Sequence, residues 1–264
     1  MKEYFDVNRA TWNKKAIAHY EGDFYDRDGF AKAKNSLNSY EIKALGDVRG
    51  KSILHLQCHF GQDSLSWVHL GANVTGIDIS DEAIEIAKNL SANLNLPANF
   101  IRCNVLDTST YVNDTFDIVF TSYGVIGWLP DLQPWAQMIA QRLNKGGVFY
   151  IVEFHPIAWM FDYTTKPAIM KYHYSQQDVI YEEYQGTYGS SKSDMISKEY
   201  GWNHSLSEVI QALINAGLTV DYFNEHDGSP YEVFPNMYKG NDELFYLNEQ
   251  LYPLIFEIKA VKPN

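Results

Sequence analysis

Two short apolar runs, each closing on a distinct polar end, constrain this chain more than anything else in it. Ile53-Leu54-His55-Leu56 passes into Gln57-Cys58-His59-Phe60-Gly61, a tight turn that opens onto the start of a helix at Gln62-Asp63. Val74-Thr75-Gly76-Ile77 then ends in a carboxylate, Asp78. Strand, turn, helix and a second strand ending in an acid is how a doubly wound sheet holds an adenosine-containing cofactor. Backbone N–H groups of the turn face the ligand, and the acid takes the ribose hydroxyls.

The rest of the chain repeats this alternation. Short runs rich in Ile, Val and Phe predict strands over 52–56, 73–77, 99–103, 116–121 and 148–154. Helices are expected over 62–70, closed by Gly71, and over 81–90, where Ser80 caps and Asp81 and Glu82 favour the first turn. Asp131 caps a further helix that reaches Leu143 and stops before Gly146-Gly147. Nearly continuous apolar strands alternating with helices indicate an α/β fold, a mostly parallel sheet covered on both faces. The pattern breaks at Pro156 and resumes at Ser205-Leu206-Ser207-Glu208, a capping box that opens a helix to Ala216. Residues 218–225 and 254–261 read as closing strands. Trp12, Ala16, Ile17 and Tyr20 lie at helical spacing over 7–21, and a second helix is expected over 36–45.

One domain over 1–264 is the economical division. Residues 1–48 form a helical N-terminal cover, and residues 157–203 and 226–253 are insertions. The first insertion carries Trp159, Phe161, Tyr163, Tyr172, Tyr174, Tyr181, Tyr184, Tyr188, Tyr200 and Trp202. Insertions of that length belong to lids, substrate elements or dimer contacts.

Charge and cysteine content narrow the function classes. Lys plus Arg total 21 against 33 Asp plus Glu, a net charge of −12 that repels phosphate backbones, so nucleic acid is not the expected partner. No apolar run reaches the roughly 18 residues of a membrane span, and the N-terminus lacks a signal-peptide pattern. Cys58 and Cys103 are too few for a disulfide framework, and no His/Asp/Glu spacing matches a dedicated metal site. The expectation is a cytoplasmic protein, monomer or homodimer, acting on a small molecule without a metal.

The residues at this point resemble the class I S-adenosylmethionine-dependent methyltransferases over roughly residues 50–261. Leu54-His55-Leu56-Gln57-Cys58-His59-Phe60-Gly61 occupies the position of the family's glycine-rich turn, and Asp78 that of its ribose-binding acid. Phe116-Asp117-Ile118-Val119 looks like the family's fourth strand, and Leu143-Asn144-Lys145-Gly146-Gly147 like the turn before its fifth. The resemblance implies a Rossmann-like sheet of seven strands with the last antiparallel, S-adenosylmethionine as cofactor and S-adenosylhomocysteine as product. The departures are that Gln57 and His59 stand where the first two glycines are usual, and Asn104 where an adenine-binding Asp is usual. A slightly wider turn is the expected accommodation.

Gln57, Cys58, His59, Gly61, Gln62, Asp78, Ile79, Asn104, Val105, Ser122 and Tyr123 are the implied cofactor contacts. Gly61 is equally a feature of any strand–turn–helix, and Asn104 equally a turn former. Tyr20, Tyr25, Tyr123 and His155 are candidates for the substrate pocket, with core packing the alternative for each. His155 directly follows the fifth strand, where ligands collect, and is the candidate base. The competing functions are a catalytically silent nucleoside-binding protein and an NAD-dependent dehydrogenase. The latter would need Gly-x-Gly-x-x-Gly where this turn has Gly61 alone.

Overall fold

The computed structural model describes residues 2–162, 165, 168–189, 194–234, 237–249 and 251–264. Helices α1 (Lys2–Glu21), α2 (Arg27–Ala33) and α3 (Ser39–Leu45) precede the alternating core. The core runs β1 (Ser52–Leu56), α4 (Gln62–His69), β2 (Asn73–Asp78), α5 (Asp81–Leu94), β3 (Asn99–Arg102), the single turn α6 (Thr108–Tyr111), β4 (Phe116–Ser122), α7 (Leu132–Arg142) and β5 (Leu143–Phe154). After β5 come the small pair β6 (Phe161–Asp162) and β7 (Ile169–Met170), then the longer hairpin β8 (Gln176–Gln185) and β9 (Ile196–Asn203). Helix α8 (Leu206–Asn215), β10 (Thr219–His226), the small pair β11 (Tyr238–Lys239) and β12 (Phe245–Tyr246), and β13 (Ile255–Val261) complete the chain.

The main sheet has the order β10-β13-β5-β4-β1-β2-β3. β1, β2, β3, β4 and β5 are mutually parallel, and β13 runs antiparallel between β5 and β10. Strand order reverses between β1 and β4, and in such sheets ligands bind outside the carboxyl ends of the strands at that reversal. The turn at residues 57–61 and the end of β4 both lie there.

Apolar side chains cover both faces of the sheet at its centre. Leu54, Val119, Phe149 and Phe256 pack with Trp135, Ile139, Val209 and Leu213 of α7 and α8, all of them fully buried. Ile53, Phe120, Tyr150 and Val152 pack on the other side with Trp67 of α4. The predicted caps are formed: Ser80 accepts from Ala83 N–H, Asp131 from Gln133 N–H, and Ser205 with Glu208 closes a capping box.

Local differences from expectation have local causes. The second helix begins at Ser39 rather than 36, because Ser36 N–H donates to Ser66 Oγ and its hydroxyl to Asp63 Oδ1. α2 was not expected; it buries only Phe30 and relies on an Asp26 cap. α1 starts at Lys2 rather than at residue 7, and Tyr4 in its first turn packs on Tyr200 and Trp202. Asn8 exchanges two hydrogen bonds with the Tyr200 backbone, and Thr11 does the same with Lys198. Through these bonds α1 docks along β9. No helix among the described residues is long and apolar enough to cross a membrane.

Candidate active site

The turn after β1 is a crease that passes through the left-handed region at two residues that are not glycine. Gln57 and His59 both have φ of 51°, and Gly61 has φ of 81°. Holding a non-glycine residue in the left-handed region costs on the order of 1–2 kcal/mol. Surrounding bonds over-determine the shape. Gln57 Nε2 donates to Val125 O at 2.9 Å, Cys58 N–H to Ile77 O at 2.9 Å, and His59 N–H to Asp78 Oδ2 at 2.9 Å. The His59 ring packs against Trp12, Tyr25 and Phe60. Gly61 has a structural reason of its own: a Cβ there would lie 2.7 Å from the Phe100 ring and 3.1 Å from Ala87 Cβ. It lets α4 start close against α5 and β3.

The crease opens into a cavity of about 940 Å³ over the carboxyl ends of β1, β2 and β4, within the size range of small-molecule sites. All eleven residues expected to meet a cofactor line it, from Gln57 through Asp78 and Asn104 to Tyr123. Burial pushes the Asp78 carboxyl up to about 6, against the pull of backbone N–H donors from Ser80, His59 and Ile79. Asn104 also plays the turn role, since its Oδ1 accepts from Leu106 N–H at 3.0 Å.

Two expected pocket residues are placed elsewhere. His155 does not line the cavity. Its Nδ1 accepts from Ile157 N–H at 3.2 Å, so its Nε2 carries the proton and donates to Glu225 Oε1 at 2.8 Å. With both nitrogens engaged and the ring 3% exposed, it joins β5 to β10 and offers no lone pair to a substrate. Tyr20 packs on Phe60 and under the Arg27 guanidinium, outside the cavity wall. Tyr25 and Tyr123 do line it. From the first insertion, Trp159, Phe161, Tyr172, Tyr184, Tyr188 and Trp202 form the cover. Tyr163 lies outside the described residues.

Four residues at or behind the wall carry charges that the sequence reading passed over. Lys15, from α1, is 2% exposed and ion-paired with Glu199 of β9, inside the rings of Trp12, Trp128, Tyr184 and Tyr188. Desolvation lowers its pKa, with Glu199 opposing. Glu153 is fully buried and accepts the N–H groups of Gly124, Val125 and Ile126, which shapes the loop after β4. Asp63, in the first turn of α4, faces the cavity; desolvation raises its pKa to about 6. Glu41, buried behind Tyr123, is raised to about 7 by desolvation, with Asp63 adding to the shift. Helical or strand periodicity would class each simply as polar. Only the spacing of Asp63, two residues after Gly61, was a usable signal.

The imidazoles of His19 and His59 meet edge-on, with His19 Nδ1 3.0 Å from His59 Nε2, and His19 Nε2 is 2.6 Å from Thr187 Oγ1. Burial followed by the Lys15 charge lowers His19 to about 3. Burial, then His19 and Lys15, drives His59 well below its ordinary value. Both rings are therefore neutral. Two buried polar atoms on the crease lack any partner among the described residues: Gln57 Oε1, an acceptor, and His59 Nδ1.

Comparison with known proteins gives a consistent picture. Residues 54–149 match the family model described as a methyltransferase domain. The ubiquinone biosynthesis O-methyltransferase of Photorhabdus laumondii is 25% identical over 143 residues, 52% of this chain and 59% of that protein. The enzyme of the same name from Coxiella burnetii (strain RSA 331) is 28% identical over 150 residues, 54% of this chain and 63% of that protein. The chain thus spans about 60% of the length of these curated relatives. Among solved structures, an S-adenosylmethionine-dependent methyltransferase from Clostridium acetobutylicum superposes with a TM-score of 0.60 at 12% identity, covering 96% of this chain and 99% of that one. One from Methanosarcina mazei gives 0.58 at 18% identity, with 86% and 99% covered.

Proposed function

We propose, from the premise that this chain belongs to the class I S-adenosylmethionine-dependent methyltransferase family, that it transfers a methyl group to a small molecule by in-line displacement. The observation that carries this reading is the crease. It holds Gln57 and His59 in the left-handed region, is bonded to Asp78, and leaves two buried, unpartnered polar atoms on its wall. Strain of this kind persists where a ligand site needs it.

The residues present fit the cofactor. Gln57 Oε1 is an unpartnered acceptor suited to an ammonium, and the first N–H groups of α4 suit a carboxylate. Asp78 and Ile79 line the wall where a ribose would lie, with Asn104 and Val105 beyond them for an adenine. When bound, the cofactor supplies a sulfonium-activated methyl group, and S-adenosylhomocysteine is the leaving product.

What the chain must add is alignment and exclusion of water. A nucleophile held about 3–3.5 Å from the methyl carbon, in line with the breaking bond, gains most of the available rate from positioning. Ser122 at the end of β4 and Tyr123 just after it line the cavity and are assigned the reacting region. The aromatic cover from the insertion keeps that region dry. The likeness to small-molecule O-methyltransferases and the enclosed cavity both favour a small acceptor over a macromolecule.

Thermal unfolding of the full chain with S-adenosylhomocysteine tests the reading. At 100 times its dissociation constant the ligand stabilises the folded state by about 2.7 kcal/mol. A shift with NAD instead would favour a dehydrogenase, and no shift with either would favour a silent relative of the fold.

A further inference from the structure

The cavity wall is out of electrostatic balance. Six carboxylates line it, from Asp63, Asp78, Asp162, Glu182, Glu199 and Glu232, against Lys15 as the single Lys or Arg among the described residues. Lys15 is already matched by Glu199, and Asp162 by Lys171 from outside the wall. Asp78 is held by backbone N–H groups, Glu182 takes the Tyr172 hydroxyl at 2.5 Å, and Glu232 is exposed to solvent. Asp63 has only hydroxyls: Ser36 Oγ donates to it at 2.5 Å and Ser122 lies beside it. Among the described residues no ammonium, guanidinium or imidazole acts on it.

A second carboxylate deepens the deficit. Glu41 is fully buried, within electrostatic reach of Asp63, and its Oε2 has no hydrogen-bond partner. Aromatic rings enclose the same space. Tyr25 and Tyr231 both feel the Asp63 charge, and Tyr123 that of Glu41. Tyr123 and Tyr231 meet edge-to-face at 5.3 Å, and Phe24 stacks on Tyr231 at 5.8 Å.

We propose that the methyl acceptor is a small amine, its nitrogen held by Asp63 among the rings of Tyr25, Tyr123 and Tyr231; the proposal rests on the methyltransferase reading above. A half-buried carboxylate enclosed by aromatic rings and without a cation is costly, and a cationic nitrogen removes that cost where a neutral hydroxyl would not. Ring faces attract the same cation and reject an anionic head. Asp63 is also the group that can take the proton. The bound ammonium gives one proton to the Asp63 carboxylate, and the freed lone pair forms the nitrogen–carbon bond. As it forms, the carbon–sulfur bond breaks and sulfur keeps that electron pair. The methylated ammonium leaves, and Asp63 returns its proton to solvent.

The test uses the full chain saturated with S-adenosylhomocysteine, titrated calorimetrically with phenethylamine, benzylamine and tryptamine and with the neutral alcohol matching each. At least one amine binds about tenfold or more tightly than its alcohol, a 1.4 kcal/mol preference. Asp63→Asn removes that preference while its S-adenosylhomocysteine affinity stays within about twofold. With S-adenosylmethionine, the product gains one methyl on nitrogen by mass spectrometry. Alcohols binding as well as the matching amines would overturn the proposal. So would amines failing to bind a chain that binds S-adenosylhomocysteine, or Asp63→Asn weakening the nucleoside instead. The amine-against-alcohol comparison needs no variant, so a misfolded Asp63→Asn leaves it decisive. Failure to bind S-adenosylhomocysteine at all would instead sink the methyltransferase reading beneath it.

Discussion

The backbone N–H of His59 donates to Oδ2 of Asp78 at 2.9 Å, and Ser80 N–H donates to Oδ1 at 2.8 Å, so the acid ending β2 is tied to the crease through one oxygen and to its own helix cap through the other. The same carboxylate is therefore both a brace for the turn and the wall of the cavity. Asp78→Ala removes both roles. Hydrogen bonds to a charged group contribute about 1.5–3 kcal/mol, so S-adenosylhomocysteine should bind roughly 10- to 100-fold more weakly. Titration calorimetry checks this, and unchanged affinity would detach Asp78 from the cofactor.

Gly61→Ala is expected to damage the fold before it touches any ligand. The added methyl meets Phe100 at 2.7 Å, and φ of 81° disfavours any side chain. Overpacking and left-handed strain together should cost about 2–4 kcal/mol. Urea denaturation measures it, with Phe100→Leu in the same chain recovering part of the loss.

Lys15 and Glu199 make a buried pair whose halves cannot be removed separately. Lys15→Met leaves Glu199 charged among rings and should destabilise by about 3–5 kcal/mol. Adding Glu199→Gln should restore most of that, because the double variant buries no unmatched charge. A double-mutant cycle by chemical denaturation reads the coupling directly. Additive losses would mean that the two side chains act independently.

Glu41 gives stability a pH dependence of a definite sign. Its folded pKa is raised from 4.5 to about 7, chiefly by desolvation. Between those values the folded chain holds a proton that the unfolded chain has lost, so wild type loses stability relative to Glu41→Gln as pH rises from 4.5 to 7. The loss should total roughly 3 kcal/mol and then level off. Buried His19, His55 and His59, all lowered, act oppositely by losing stability as pH falls below 6.5. Comparing wild type with Glu41→Gln across pH cancels their contribution. A flat difference would mean that Glu41 titrates as in water.

The crease, Asp78 and Asn104 were readable in the sequence because strand, turn and acid are consecutive, and the pattern along the chain carries them. The capping box at Ser205 and the cap at Asp131 were readable for the same reason. Lys15, Asp63, Glu41 and Glu153 were not, since the meaning of each depends on a partner or an enclosure that only folding brings near. His155 shows the limit most clearly. Its position at the end of β5 follows from the strand pattern, but the direction of its ring is set by Glu225 on β10 and by Ile157 N–H. The backbone of the crease was not readable, because bonds from Val125 and Asp78, remote in sequence, hold Gln57 and His59 where their own preferences would not.

Asn8 and Thr11, one helical turn apart, satisfy alternate peptide groups of β9 as a neighbouring strand would. A ribbon whose rim is occupied in this manner has no free template along that rim for a foreign chain. The first helix is bonded through Arg9 and Asn13 to the cap of α5 as well, so it couples the hairpin to the core. Amide hydrogen exchange at Lys198 and Tyr200 would then keep time with that of the opening helix.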